Sequence, residues 1–193
     1  VPGRHNVMNA TAAVAAAYRL GADDEAVRAA LAGFGGVERR FEEKGEVFGI
    51  LIVEDYAHHP TEVAAAIEAA RVKQRPITVV FQPHLFTRTR YFLREFAAAL
   101  VGADHVYLTS VYGARESASS GVDAQSLGDA MRNQGFGAVH IVPDKWDLPE
   151  RIASECREGD VVLFMGAGDI GDVADVMISI LCQRFQVVEE VRA

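Results

Sequence analysis

Apolar positions change rhythm part-way along the chain. Residues 4–20 form an alanine-rich stretch of helical character that Gly21 ends. Asp23 is placed to cap a second helical stretch running to about Gly33. Gly35 and Gly36 then break the pattern. Beyond them, short apolar runs alternate with longer helical patterns. A strand is predicted over 41–48, and the apolar runs predict strands over 50–54, 77–81, 105–108, 139–142 and 161–165. The intervening patterns predict helices over 61–73, 87–100, 124–133, 148–156 and 173–182, with a last edge strand over 185–188.

Strand and helix alternating in this way imply an α/β fold, a mostly parallel sheet with helices on both faces. Right-handed crossovers then bring the carboxyl ends of the strands to one edge, where open sheets of this kind bind ligands. The switch from helix alone to alternating strand and helix predicts a boundary between residues 1–35 and 36–193.

Polar and ionisable residues gather just past the predicted strand ends. D-Y-A-H-H-P-T-E (55–62) follows one strand, Q-P-H-L-F-T-R (82–88) the next, V-Y-G-A-R-E (111–116) a third, and M-G-A-G-D-I (165–170) the last long one. For D-Y-A-H-H-P two readings stand side by side. Pro60 suits a first helical turn and His59 or Thr61 suits its cap; alternatively, the acid, phenol and imidazoles line a site. Gly166-Ala-Gly168-Asp-Ile-Gly171 has the outline of a dinucleotide fingerprint, and Glu189 falls about 20 residues on. Such a fingerprint usually marks the first strand of its fold, however, and this one follows the last. The other reading is a tight turn whose glycines allow close strand–helix contact.

Composition narrows the function classes. The 193 residues are half apolar with a net charge of −8, which argues against a general nucleic-acid role. It leaves room for one phosphate pocket made by a few arginines. No apolar run reaches the ~18–20 residues of a membrane span, and no secretory signal is visible. Two cysteines, Cys156 and Cys182, make no disulfide framework and suit a reducing cytoplasm. The opening V-P-G-R-H-N, without Met, reads as the start of a fragment.

Three smaller signals remain. His5, Asn6 and Asn9 open the first helix, where they face either a base or water. Arg39-Arg40-Phe41-Glu42 is either a surface charge cluster or a phosphate grip just past the boundary. His58 and His59 are adjacent, so their side chains diverge on a regular backbone and make a poor zinc site. A lone histidine beside a hydrated magnesium ion is compatible with them.

Together these segments resemble the Mur ligases. The resemblance is carried, in order, by G-R-H-N-V-M-N-A, G-V-E-R-R-F-E, D-Y-A-H-H-P-T-E, F-Q-P-H-L-F-T-R-T, V-Y-G-A-R-E and M-G-A-G-D-I. It implies that residues 1–35 are the helical tail of a central ATPase domain and that 36–193 form a C-terminal Rossmann-like domain. The implied chemistry is ATP- and Mg2+-dependent. A carboxylate is phosphorylated and the acyl phosphate is then attacked by an amine. The members most similar join L-alanine to UDP-N-acetylmuramate in peptidoglycan precursor synthesis; murein-peptide recycling members share H-H-P-T. By the same resemblance His5, Asn6, Asn9, Arg40 and Asp55 match ATP-binding positions. Tyr56, His58, His84 and Arg88 match positions around the incoming amino acid. Leu85 departs from the basic residue that many relatives carry there. A glycine-rich phosphate loop, the main magnesium ligands and the UDP pocket are expected upstream of Val1, so the chain alone is expected to be inactive.

Overall fold

A computed structural model describes residues 3–117 and 121–192; of these, the side chains of His5 and residues 185–192 lie outside the described set. Two helices come first, α1 (Arg4–Arg19) and α2 (Asp24–Gly33). The Asp23 carboxylate caps α2 by accepting from the Ala26 N–H at 2.7 Å. Then follow β1 (Glu42–Val47), β2 (Ile50–Asp55), α3 (Pro60–Arg71), β3 (Ile77–Phe81), α4 (Phe86–Tyr91), α5 (Leu93–Leu100) and β4 (His105–Leu108). The chain ends with α6 (Ala124–Asn133), β5 (Val139–Ile141), α7 (Leu148–Glu155), β6 (Val161–Met165) and α8 (Gly171–Arg192). Two expectations are corrected. The helix expected over 87–100 breaks at Phe92, whose backbone leaves helical geometry with ψ 25°. The edge strand expected over 185–188 is absent, because α8 continues through it.

The strands form one sheet in the order β1-β2-β6-β3-β4-β5. All neighbours are parallel except β1, which folds back antiparallel on β2. β2, β3 and β6 are buried along their whole length, as strands covered on both faces must be. Alternate residues feed two cores. Leu51, Val53, Val79, Phe81 and Leu163 pack with α3, α5 and α6. Ile50, Ile52, Val80, Val162 and Phe164 pack with α7 and α8. Register aligns Asp55 with Met165, Met165 with Phe81, and Phe81 with Leu108. The strands therefore end in one row, and the polar loops of the sequence emerge side by side.

Candidate functional site

Glu54 and Asp55 end β2 as consecutive buried acids, 4% and 6% exposed. Strand geometry sends them to opposite faces. Asp55 lies on the α3 side. Its Oδ2 accepts from the Phe41 N–H at 2.8 Å and its Oδ1 from the Ala57 N–H at 2.7 Å. Burial pushes its carboxyl above the ordinary range, more than these two donors and Arg40 pull it down. Glu54 lies on the α8 side, where it pairs with Arg39 at 2.6 Å and Lys44 at 3.6 Å.

Past Asp55 the two histidines do diverge. His59 caps α3: its ring accepts from the Thr61 N–H, and Glu62 accepts from the His59 N–H at 3.2 Å, which makes a capping box. His58 turns the other way, its ring 5.2 Å from that of Tyr56 and 6.1 Å from that of His84. The capping reading thus holds for His59, while His58 stands beside the Tyr56 and His84 rings. His58 Nδ1 sits 2.8 Å from the Tyr56 carbonyl and 3.4 Å from a Glu62 carboxylate oxygen, both acceptors, so Nδ1 carries a proton and Nε2 is the other ring nitrogen left for a partner. His84 has the opposite tautomer. Arg88 donates to its Nδ1 at 3.3 Å. Burial first, then the Arg88 and His58 charges, lower the His84 pKa. Tyr112 stacks on the His84 ring at 5.7 Å.

The nucleotide candidates meet elsewhere on the same edge. A cleft of about 920 Å³ opens between α1, the end of α2 and α3. Asn6, Asn9, Arg40 and Asp55 line it, with Leu31 and Phe34 as apolar walls. Arg40 is half exposed, 3.9 Å from Glu62 and with its guanidinium 5.7 Å from the Tyr56 ring centre. His5 falls in α1, its side chain outside the described residues.

The sequence names Arg39 and Leu85 but does not show what their backbones and partners do. The sequence groups Arg39 with Arg40 in one cluster, yet the two part. Arg39 binds inward to Glu54 and donates to the carbonyls of Gly166 and Gly168 at 3.0 and 2.9 Å. Leu85 adopts φ 68° and ψ 127°, a costly conformation for a branched residue. Its N–H bonds the Tyr112 carbonyl at 2.9 Å, and its carbonyl accepts from both the N–H and hydroxyl of Thr89. No composition or periodicity signals such a backbone.

The glycine turn after β6 has a different job from the fingerprint it resembles. It presents carbonyls to a guanidinium, the opposite polarity from a pyrophosphate cradle. A methyl at Gly168 would lie 2.3 Å from Gln82 Oε1, and one at Gly171 2.3 Å from Glu54 Oε1. These glycines make room for side chains of the neighbouring strands.

This geometry defines a class, an α/β domain with a nucleotide-sized cleft and an imidazole–guanidinium cluster on one sheet edge. The Mur ligase, glutamate ligase domain family matches residues 39–168, and the chain belongs to it. It is 48% identical over 183 residues to the UDP-N-acetylmuramate–L-alanine ligase of Salinibacter ruber, an alignment covering 94% of this chain and 38% of that protein. The crystal structure of the UDP-N-acetylmuramate–alanine ligase of Thermotoga maritima superimposes with a TM-score of 0.79 at 33% identity, over 97% of this chain and 39% of that one. The murein peptide ligase of Psychrobacter arcticus gives 0.70 at 26% identity, over 94% and 38%. The chain thus spans under two-fifths of the length of these relatives.

Proposed function

We propose that the chain is the C-terminal part of an ATP-dependent ligase that joins L-alanine to UDP-N-acetylmuramate through an acyl phosphate. Residues 1–35 belong to its central ATPase domain and 36–193 to its C-terminal domain. One observation carries the reading: the cleft with Asn6, Asn9, Arg40 and Asp55 and the cluster of Tyr56, His58, His84 and Arg88 adjoin, sharing the Asp55–Tyr56 step and the approach of Arg40 to Tyr56. A nucleotide and an amine therefore reach one edge together, as acyl transfer by way of a phosphate requires.

The roles follow from chemistry. Leu31 and Phe34 give the cleft apolar walls for adenine, and the amides of Asn6 and Asn9 address its edge. Asp55 has lone pairs left for ribose hydroxyls, and His5 completes this group by resemblance. Arg40 turns to phosphate; a half-exposed guanidinium moves at little cost. Arg88 pairs with the carboxylate of alanine. His58 Nε2 is the basic atom for the ammonium proton that must leave before attack. Magnesium ligands are assigned to other segments of the full-length enzyme. A cytoplasmic location accompanies this chemistry, and no described helix is long and apolar enough to cross a membrane.

The test is phosphate release from ATP by the full-length enzyme with UDP-N-acetylmuramate. The expected result is turnover that depends on L-alanine. Turnover with the murein tripeptide and none with alanine would transfer the chain to the recycling ligases. No amine-dependent turnover would overturn the reading.

A further inference from the structure

We propose that Arg39 is a positioning residue that fixes Tyr56, and through it the amino-acid subsite, to the segment joining α2 to β1. This rests on the amino-acid role given above to the cluster around Tyr56.

Arg39 is held from several sides. Its guanidinium donates through Nε to Glu54 and through Nη2 to the carbonyls of Gly166 and Gly168. Its own carbonyl accepts from the Tyr56 N–H at 2.7 Å, and its N–H donates to Glu42 at 2.8 Å. Its backbone is left-handed, with φ 57°, as is that of Phe41 at 47°. An alternation of this kind in adjacent residues turns neighbouring side chains to different sides, Arg39 inward and Arg40 to the cleft. The Arg39 guanidinium carbon lies 4.8 Å from the centre of the Tyr56 ring, closer than Arg40 at 5.7 Å. A cation at that distance attracts the ring face and sets its plane.

The other end of the device is equally fixed. The Glu54 side chain is 5% exposed and also faces Lys44, which pairs with Asp175 of α8 at 3.0 Å. Gly171 leaves the space that Glu54 fills. Arg39 therefore ties the connector, the end of β2, the turn after β6 and the Tyr56 ring into one piece. A lysine keeps the charge and loses the fork that reaches three oxygens. The adjacent arginines divide the work, Arg40 for the nucleotide and Arg39 for the geometry of the amino-acid subsite.

The experiment measures apparent KM for L-alanine and for ATP in the full-length enzyme. Arg39→Gln is expected to raise the alanine KM by about 10-fold, a loss in keeping with one partly buried cation–ring contact, while the ATP KM stays within about twofold. Arg39→Lys falls between wild type and Arg39→Gln. Because Arg39 acts through the ring, Arg39→Gln/Tyr56→Leu is expected to be no worse than Tyr56→Leu alone. Should stranding the Glu54 charge prevent folding, Arg39→Gln/Glu54→Gln removes both charges and carries the same expectation. Equal rises in both KM values, multiplying effects in the double variant, or a lower Tm with both KM values unchanged would each overturn the inference. Failure of the functional reading looks different, since unmutated enzyme would then show no alanine-dependent turnover.

Discussion

Asp55 accepts two backbone N–H groups and also lines the nucleotide cleft, so its replacement acts on two measurable quantities. Asp55→Ala leaves both donors unpaired, a loss of about 2–4 kcal/mol. In a protein of this size that lowers Tm by roughly 4–16 °C. In the full-length enzyme the ATP KM is expected to rise as well; a lower Tm with unchanged ATP KM would leave Asp55 only the turn. Burial raises its folded-state pKa above the ordinary 3.8, so the native protein holds that proton more tightly than the unfolded chain. Stability from this group therefore falls as pH rises from the ordinary value through the raised one, and Asp55→Asn should flatten that slope in denaturation curves. His84 has the reverse sign. Its lowered pKa means that stability is lost as pH falls from 6.5 through the folded value. Arg88→Ala should move an NMR titration of His84 upward but not fully, since burial is the larger cause. The same change should raise the alanine KM roughly 10- to 150-fold and leave the ATP KM near wild type. The motifs name Asp55, His84 and Arg88 as candidates directly. They could not show that Phe41 and Ala57 hold Asp55, or that Arg39 meets Gly166 across 127 residues, because such partners are set by chain return.

At the level of elements, the sequence pattern locates all six strands and the helices between them; β2, β3 and β6 are short apolar runs, as buried parallel strands are, whereas β1 is a largely polar antiparallel edge strand. Where polar chemistry decides, rhythm fell short. The break at Phe92 interrupts a continuous helical pattern, and the tail passes for a strand because Val and Phe favour strands when taken alone. The glycine turn was ambiguous for the same reason, since spacing alone does not say what a glycine faces. Gly171 begins α8 against Glu54, which its pair with Arg39 prevents from moving aside. Gly171→Ala is expected to cost about 1–3 kcal/mol by overpacking. Gly45→Ala, where an added methyl meets nothing within 4 Å, should stay within about 0.5 kcal/mol of wild type. Chemical denaturation of both variants checks this; equal costs would mean that Glu54 yields freely and that the turn is not held through Arg39.

For the whole molecule, the two parts proposed at residues 1–35 and 36–193 differ in how they are held. Among the described residues of α1 and α2 only Val27 is buried, while Val7, Met8, Leu20, Leu31 and Phe34 are exposed. The remaining elements enclose two continuous cores, one on each face of the sheet. Since burial of apolar surface supplies most of the stability, α1 and α2 contribute little and the sheet contributes nearly all. A chain beginning at Gly36 is therefore expected to unfold cooperatively, with a Tm within a few degrees of the 193-residue chain. In hydrogen exchange on the longer chain, amides of α1 and α2 should exchange by local opening, whereas those of β2, β3 and β6 should require global unfolding. The shorter chain would lose the Asn6 and Asn9 wall of the cleft while retaining Tyr56, His58, His84 and Arg88. Collapse of the sheet on removal of the two helices, or equal protection of α1 and β6 amides, would show that the boundary is misplaced and that α1 and α2 are integral to the fold.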